Sequence, residues 1–152
     1  MILISHRGNI NGKKETMENH PEYVLTALNL GFDVEIDLWY SNETFYLGHD
    51  EPKYAITQDW LVLYSEKLWL HCKNLEAIEY LKNNNLNLNY FWHQEDFVTI
   101  TSKGHIWTYP GKQPIKNSIA VLPEKYNDPI DICYGICSDY PHKFLKKTNG
   151  IK

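Results

Sequence analysis

A single α/β domain with mostly parallel strands is what this sequence predicts, on three observations. Apolar runs of strand length alternate along the chain with amphipathic stretches of helical period, the pattern of parallel strands joined by right-handed crossovers. Hydrophobic residues make up 43% and aromatics 14% of the 152 residues, enough to bury a core in one domain. No repeat or linker divides the chain. Its one biased patch, Asn83-Asn84-Asn85 to Asn89, reads as a turn.

Taken in order, residues 1–6 form a short apolar strand. Asn19 as N-cap, Pro21 at the start, an apolar stripe of Val24, Ala27 and Leu28, and Gly31 at the end predict a helix from Pro21 to Leu30. Residues 32–40 make a second strand. A hairpin-like piece follows at Phe45 to Leu47, then a helix from about Thr57 to Glu66. Residues 68–73 make the next strand, and Asn74 caps a helix with Leu75, Ile78 and Leu81 on one face. Further strands fall at 88–93, 105–109, 118–122 and 133–138. Further helices are expected at Asp96 to Lys103 and after Pro141. Seven main strands result. A complete (β/α)₈ barrel takes about 250 residues, so a barrel of this length has shed helices or a strand. A doubly wound open sheet is the other solution.

The formal net charge is −4 with no densely basic stretch. That excludes a nucleic-acid-binding surface and leaves room for a local anion site. Cys72, Cys133 and Cys137 are too few, and odd in number, for a disulfide framework; they read as buried thiols of a reducing compartment. The chain start lacks the basic residues and long apolar core of a signal peptide. No apolar run approaches the roughly 18 residues of a membrane span. A soluble cytoplasmic protein is expected.

The chemistry-bearing residues cluster at strand ends. In Asp33-Val34-Glu35-Ile36-Asp37-Leu38-Trp39, alternation puts Val34, Ile36 and Leu38 on one face. Glu35 and Asp37 take the other, roughly 7 Å apart at their backbones. Two acids on one sheet face are costly to bury unless a divalent cation joins them, and hard oxygen donors suit Mg²⁺ or Ca²⁺. The alternative is the solvated face of an edge strand. His6-Arg7-Gly8 ends the first strand: Arg7 can grip a phosphate, His6 can move protons near neutral pH, and Gly8 permits a sharp turn. In Gly48-His49-Asp50, His49 is a second acid/base candidate held by the Asp50 carboxylate, or else a surface histidine in a turn. His71 and Lys73 share a strand face, and a lysine within a strand needs an anionic partner, which points it toward Glu35 and Asp37. Trp107 sits where a strand ends and can line a pocket mouth. Glu124 and Asp139 lie just beyond apolar strands, the position of active sites in barrels.

Together, His6-Arg7-Gly8, Glu18-Asn19, Gly31 through Asp37 and Gly48-His49-Asp50 resemble the N-terminal signature of the glycerophosphodiester phosphodiesterase family. Gly135-Ile136-Cys137-Ser138-Asp139-Tyr140-Pro141 is similar to that family's last strand, and Ile106-Trp107-Thr108 to its tryptophan-bearing penultimate strand. The resemblance implies an abbreviated TIM-type (β/α) barrel of seven or eight mostly parallel strands with reduced helices. It implies His6 and His49 as the general acid/base pair, Glu35 and Asp37 as metal ligands, Arg7 and Lys73 as phosphate-binding groups, and Glu18 as support for the His6-Arg7 corner. The metal would be Mg²⁺ or Ca²⁺, and the substrate a small phosphodiester. The family carries a further acidic ligand where this chain has His71. As a ligand, His71 would move preference toward Mn²⁺ or Zn²⁺; off the metal it would leave water in its place, or be a hydrogen-bonded barrel residue. Two other functions compete: a sphingomyelinase-D-like lipid phosphodiesterase, generally secreted, and a non-catalytic barrel that binds phosphate-bearing ligands.

Overall fold

The seven expected strands all form. In the computed structural model, which describes residues 1–148, the elements are β1 (Ile2–His6), α1 (Pro21–Asn29), β2 (Asp33–Ser41), β3 (Thr44–Leu47), β4 (Tyr54–Ile56), α2 (Gln58–Leu63), β5 (Leu68–Cys72), α3 (Leu75–Asn83), β6 (Asn89–Phe91), β7 (Val98–Ile100), β8 (Ile106–Thr108), β9 (Ser118–Val121), α4 (Pro123–Tyr126), β10 (Gly135–Ser138) and α5 (Pro141–Thr148). Strands β8, β9, β10, β1, β2, β5 and β6 lie side by side in that order, each parallel to the next.

The sheet as a whole is mixed rather than mostly parallel, which corrects the expectation from sequence. β3 pairs antiparallel with the late half of β2 and β4 with β3, while β7 pairs antiparallel with β8. Among the described residues the sheet curls into a half-barrel and no pairing closes it. β6 and β8 are not paired with each other, yet Phe91 and Trp107 meet across the interior with ring centroids 4.6 Å apart. Ser102 spans this side by donating its N–H to the Tyr90 carbonyl at 2.8 Å.

Alternation along the strands separates two cores. The outward residues Val34, Ile36, Leu38, Leu70 and Cys72 pack with Val24, Ala27 and Leu28 of α1 and with Ala77 and Leu81 of α3. The inward residues Ile4, Trp69, Phe91, Trp107, Ile119, Val121 and Cys137 fill the bottom of the half-barrel. Polar inward residues at the strands' C-terminal ends are thereby held over an apolar floor. The three cysteines are free and buried. No helix among the described residues is long and apolar enough to cross a membrane.

Three local expectations are corrected. Asp96 to Lys103 is no helix: Val98, Thr99, Ile100 and Thr101 include four β-branched side chains, and β7 forms there. Asn19 does not cap α1; His20 does, its Nδ1 accepting from the Glu22 N–H at 3.3 Å, because the Asn19 side chain is spent on Asp37. Asn74 stands at the N-cap of α3, but its side chain bridges Tyr40 N–H and C=O, and Leu75 is exposed while Ala77 and Leu81 are buried.

Candidate active site

Strand register places the inner-face polar residues side by side. His6 is the register partner of Glu35 across β1 and β2, and Asp37 that of His71 across β2 and β5. All four side chains point over the apolar floor. Glu35 and Asp37 are buried, 2% and 0% exposed, which rules out the solvated edge-strand alternative.

His6 belongs to a connected chain of polar groups. Its Nδ1 lies 2.7 Å from Asp139 Oδ1, at the end of β10. Asp139 also accepts from Asn9 Nδ2 at 2.9 Å, and the same amide donates to Glu18 Oε1 at 2.8 Å. Glu18 in turn takes Arg7 Nη1 at 3.2 Å. Because a carboxylate only accepts, His6 Nδ1 carries a proton, and the unprotonated nitrogen of the neutral ring is Nε2, which faces Glu35 Oε2 at 3.9 Å. Burial pulls the His6 pKa below its ordinary value, although the bond to Asp139 opposes this. Arg7 is held in the left-handed region, φ 56°, where a non-glycine residue is strained. Its N–H bonds to Glu35 O at 2.9 Å, and its carbonyl accepts from Asn19 N–H at 3.0 Å. Gly8 follows at φ 90°; a β-carbon there would press to 2.7 Å on the Tyr23 ring.

Asp37 is the hub. Its Oδ2 lies 2.8 Å from Arg7 Nε and accepts from Asn19 Nδ2 at 2.8 Å. Its Oδ1 faces His71 Nδ1 at 3.3 Å and Lys73 Nζ at 3.8 Å. Burial alone would raise its pKa, but His71, Arg7 and Lys73 hold the carboxyl well below the usual carboxylate range. Glu35 goes the other way: burial, reinforced by the neighbouring Asp37 charge, pushes it well above. Glu35 Oε2 and Asp37 Oδ1 are buried without a hydrogen-bond partner. Glu35, Asp37 and His71 offer ligand atoms within 4.8 Å of one another. Orphaned acceptor oxygens that converge in this way fit a divalent cation.

The group opens into a cavity of about 290 Å³ lined by His6, Arg7, Glu35, His49, His71 and Trp107, among others. Sequence-predicted residues from five separate segments thus share one cavity. Lys73 lies behind it, on Asp37. Trp107 is 4% exposed and forms part of the wall, packed on Phe91 and Trp69. His49 comes from the loop after β3. Gly48 bonds its N–H to Asp37 O at 3.2 Å, and its carbonyl accepts Trp39 Nε1 at 2.6 Å, so the loop is tied to β2 on both sides of the peptide. His49 Nδ1 meets Asp50 Oδ1 at 2.7 Å, with the histidine side chain 42% exposed.

Sequence reasoning missed Asn9, and the bonds by which Asp139 and Glu124 link the site. Asn9 carries no chemistry of its own, and nothing in its local sequence marked it. Asp139 stood out as an acid beyond a strand and as part of the segment similar to the family's last strand, but not as the partner of His6. Glu124 Oε1 holds the end of β10 by accepting Ser138 Oγ at 2.9 Å and Asp139 N–H at 3.0 Å. No family model, curated protein or solved structure matches the chain.

Proposed function

We propose that this chain hydrolyses a phosphodiester, of the glycerophosphodiester kind or a similarly small one, with a divalent metal and two histidines. One observation carries the reading: His6, bonded to Asp139, and His49, bonded to Asp50, line one cavity with Arg7 and Glu35, and Glu35 and the buried Asp37 beside it each keep one oxygen without a hydrogen-bond partner. Each carboxylate fixes Nδ1 as the protonated nitrogen of the neutral ring and leaves Nε2 free to exchange a proton, the arrangement general acid/base catalysis requires.

Charge balance supports the metal. Glu18, Glu35, Asp37 and Asp139 oppose Arg7 and Lys73 in the buried part of the site. With neutral histidines, and even with the Glu35 carboxyl protonated, the acids outnumber the two cations, and this negative surplus repels a phosphodiester anion. Glu35 and Asp37 would hold the cation, which when bound polarises a phosphoryl oxygen and neutralises charge there. Neutral His6 accepts the proton of the attacking water through Nε2, and Asp139 stabilises the imidazolium that forms. Protonated His49 delivers a proton to the leaving alkoxide. Arg7, fixed by Glu18 and Asp37, presents its guanidinium to the phosphate oxygens.

Bis(p-nitrophenyl) phosphate and a glycerophosphodiester are the substrates to try, after chelation and after addition of divalent metals. Turnover is expected to cease with chelator and return with metal. Phosphate binding without turnover under any metal would instead favour the binding-barrel reading. Gly48→Ala tests the loop: a methyl there would collide with the Glu51 carbonyl oxygen. Moving His49 by about 1 Å is expected to lower kcat/KM about 10²-fold, with metal affinity unchanged.

A further inference from the structure

Resting on the metal reading above, we propose that His71 is the third protein ligand, through Nδ1, and makes the centre select Mn²⁺, Co²⁺ or Zn²⁺ over Ca²⁺ and Mg²⁺. Three observations define the donor atom. His71 Nε2 lies 2.8 Å from the His93 carbonyl oxygen, which can only accept, so Nε2 carries a proton. The lone pair of the neutral ring is then on Nδ1. That atom faces Asp37 Oδ1 at 3.3 Å and Glu35 Oε1 at 3.8 Å. A lone pair aimed at two carboxylates is repulsive unless a proton or a metal cation lies between them, and a divalent cation there would also satisfy the buried Asp37 Oδ1 and Glu35 Oε2, which have no hydrogen-bond partner.

The ring is also held in place. It stacks on Phe91, 5.2 Å between centroids and 9° between planes. His93 is fixed in turn, its Nε2 2.7 Å from the Asp96 carbonyl oxygen. Orientation of a metal-binding imidazole by a hydrogen bond at its second nitrogen is the usual support of such sites. Two carboxylates plus one imidazole form a mixed N/O donor set. The neutral nitrogen contributes no charge to a hard cation but binds transition metals by covalency, in the order that rises from Mn²⁺ toward Zn²⁺. Ca²⁺, which wants six to eight oxygens, gains least.

Calorimetric titration of the chelator-treated protein with CaCl₂, MgCl₂, MnCl₂ and ZnCl₂ tests this, on wild type, His71→Ala, His71→Glu and Asp37→Asn. The wild type is expected to bind Mn²⁺ and Zn²⁺ at least tenfold tighter than Ca²⁺. His71→Ala is expected to lose at least tenfold for Mn²⁺ and Zn²⁺ with little change for Mg²⁺, and His71→Glu to move the ranking toward Ca²⁺. Co²⁺ bound to the wild type is expected to show a visible absorption band that shifts in His71→Ala. Metal binding that Asp37→Asn abolishes, but that keeps its ranking in both His71 variants, overturns the role of His71 and leaves the phosphodiesterase reading standing. No binding of any metal by the wild type overturns both. Should the His71 variants not fold, ¹⁵N NMR of the wild type decides: a Zn²⁺-induced shift at His71 Nδ1 supports the proposal, and none refutes it.

Discussion

His6→Ala is expected to lower kcat/KM for a phosphodiester by about 10²- to 10⁴-fold, the usual contribution of a general acid or base. The imidazole is buried and bonded to Asp139, so its removal also affects the fold. Asp139 keeps its bond from Asn9, which limits the loss to about 1–3 kcal/mol for one weakened buried acceptor. Activity must therefore be compared well below both unfolding midpoints. Because burial lowers the His6 pKa, the ring stays neutral, and able to accept a proton, to a lower pH than a free histidine. The acid limb of kcat/KM is expected below the ordinary histidine range. Asp139→Asn is expected to lower kcat/KM less than His6→Ala, because the base survives but loses its orienting charge. If His6→Ala turns over at the wild-type rate in a folded sample, His6 is not the base.

What could be read in the sequence was whatever repeats with a strand's period of two. Glu35 and Asp37 alternate with Val34, Ile36 and Leu38, and His71 alternates with Leu70 and Cys72. Their separation into an inner polar end and an outer apolar core follows from that alone. The seven parallel strands were legible for the same reason. The antiparallel strand β7 was not: Asp96, Phe97, Val98, Ile100 and Lys103 also satisfy a helical spacing, and the pairing of β7 with β8 that settles the matter is a tertiary contact. Asn19 shows a different limit. Asparagine before a helix is a capping signal, but here a buried carboxylate outcompetes the helix end for the same side chain. Asn9 was invisible because its part in the site is to join Asp139 to Glu18, residues 121 positions apart in the chain. Such a link has no local pattern.

Asp37→Asn is expected to give the largest combined loss, in metal binding and in stability. The carboxylate faces Arg7, Lys73, His71 and Asn19, and it is completely buried. An isosteric amide fills the same space but turns an acceptor into a donor beside three other donors. Arg7 then keeps only Glu18. Breaking one partner from a buried ion pair costs about 3–5 kcal/mol, because the other charge is left uncompensated, and chemical denaturation should show a fall of that size. Metal adds a second signature. Ligand bound only by the native state stabilises it by about 2.7 kcal/mol at a hundredfold excess over Kd, so the wild type should melt higher with metal and Asp37→Asn should not. Glu35 supplies the pH dependence. Its native pKa lies above its unfolded one, so between the two the native state holds more protons and stability falls as pH rises. A cation that favours the ionised carboxylate removes this slope. The metal-free wild type is therefore expected to lose stability as pH rises through the window above the ordinary glutamate value, and the metal-loaded protein to lose less. Parallel slopes with and without metal would show that the cation does not touch Glu35.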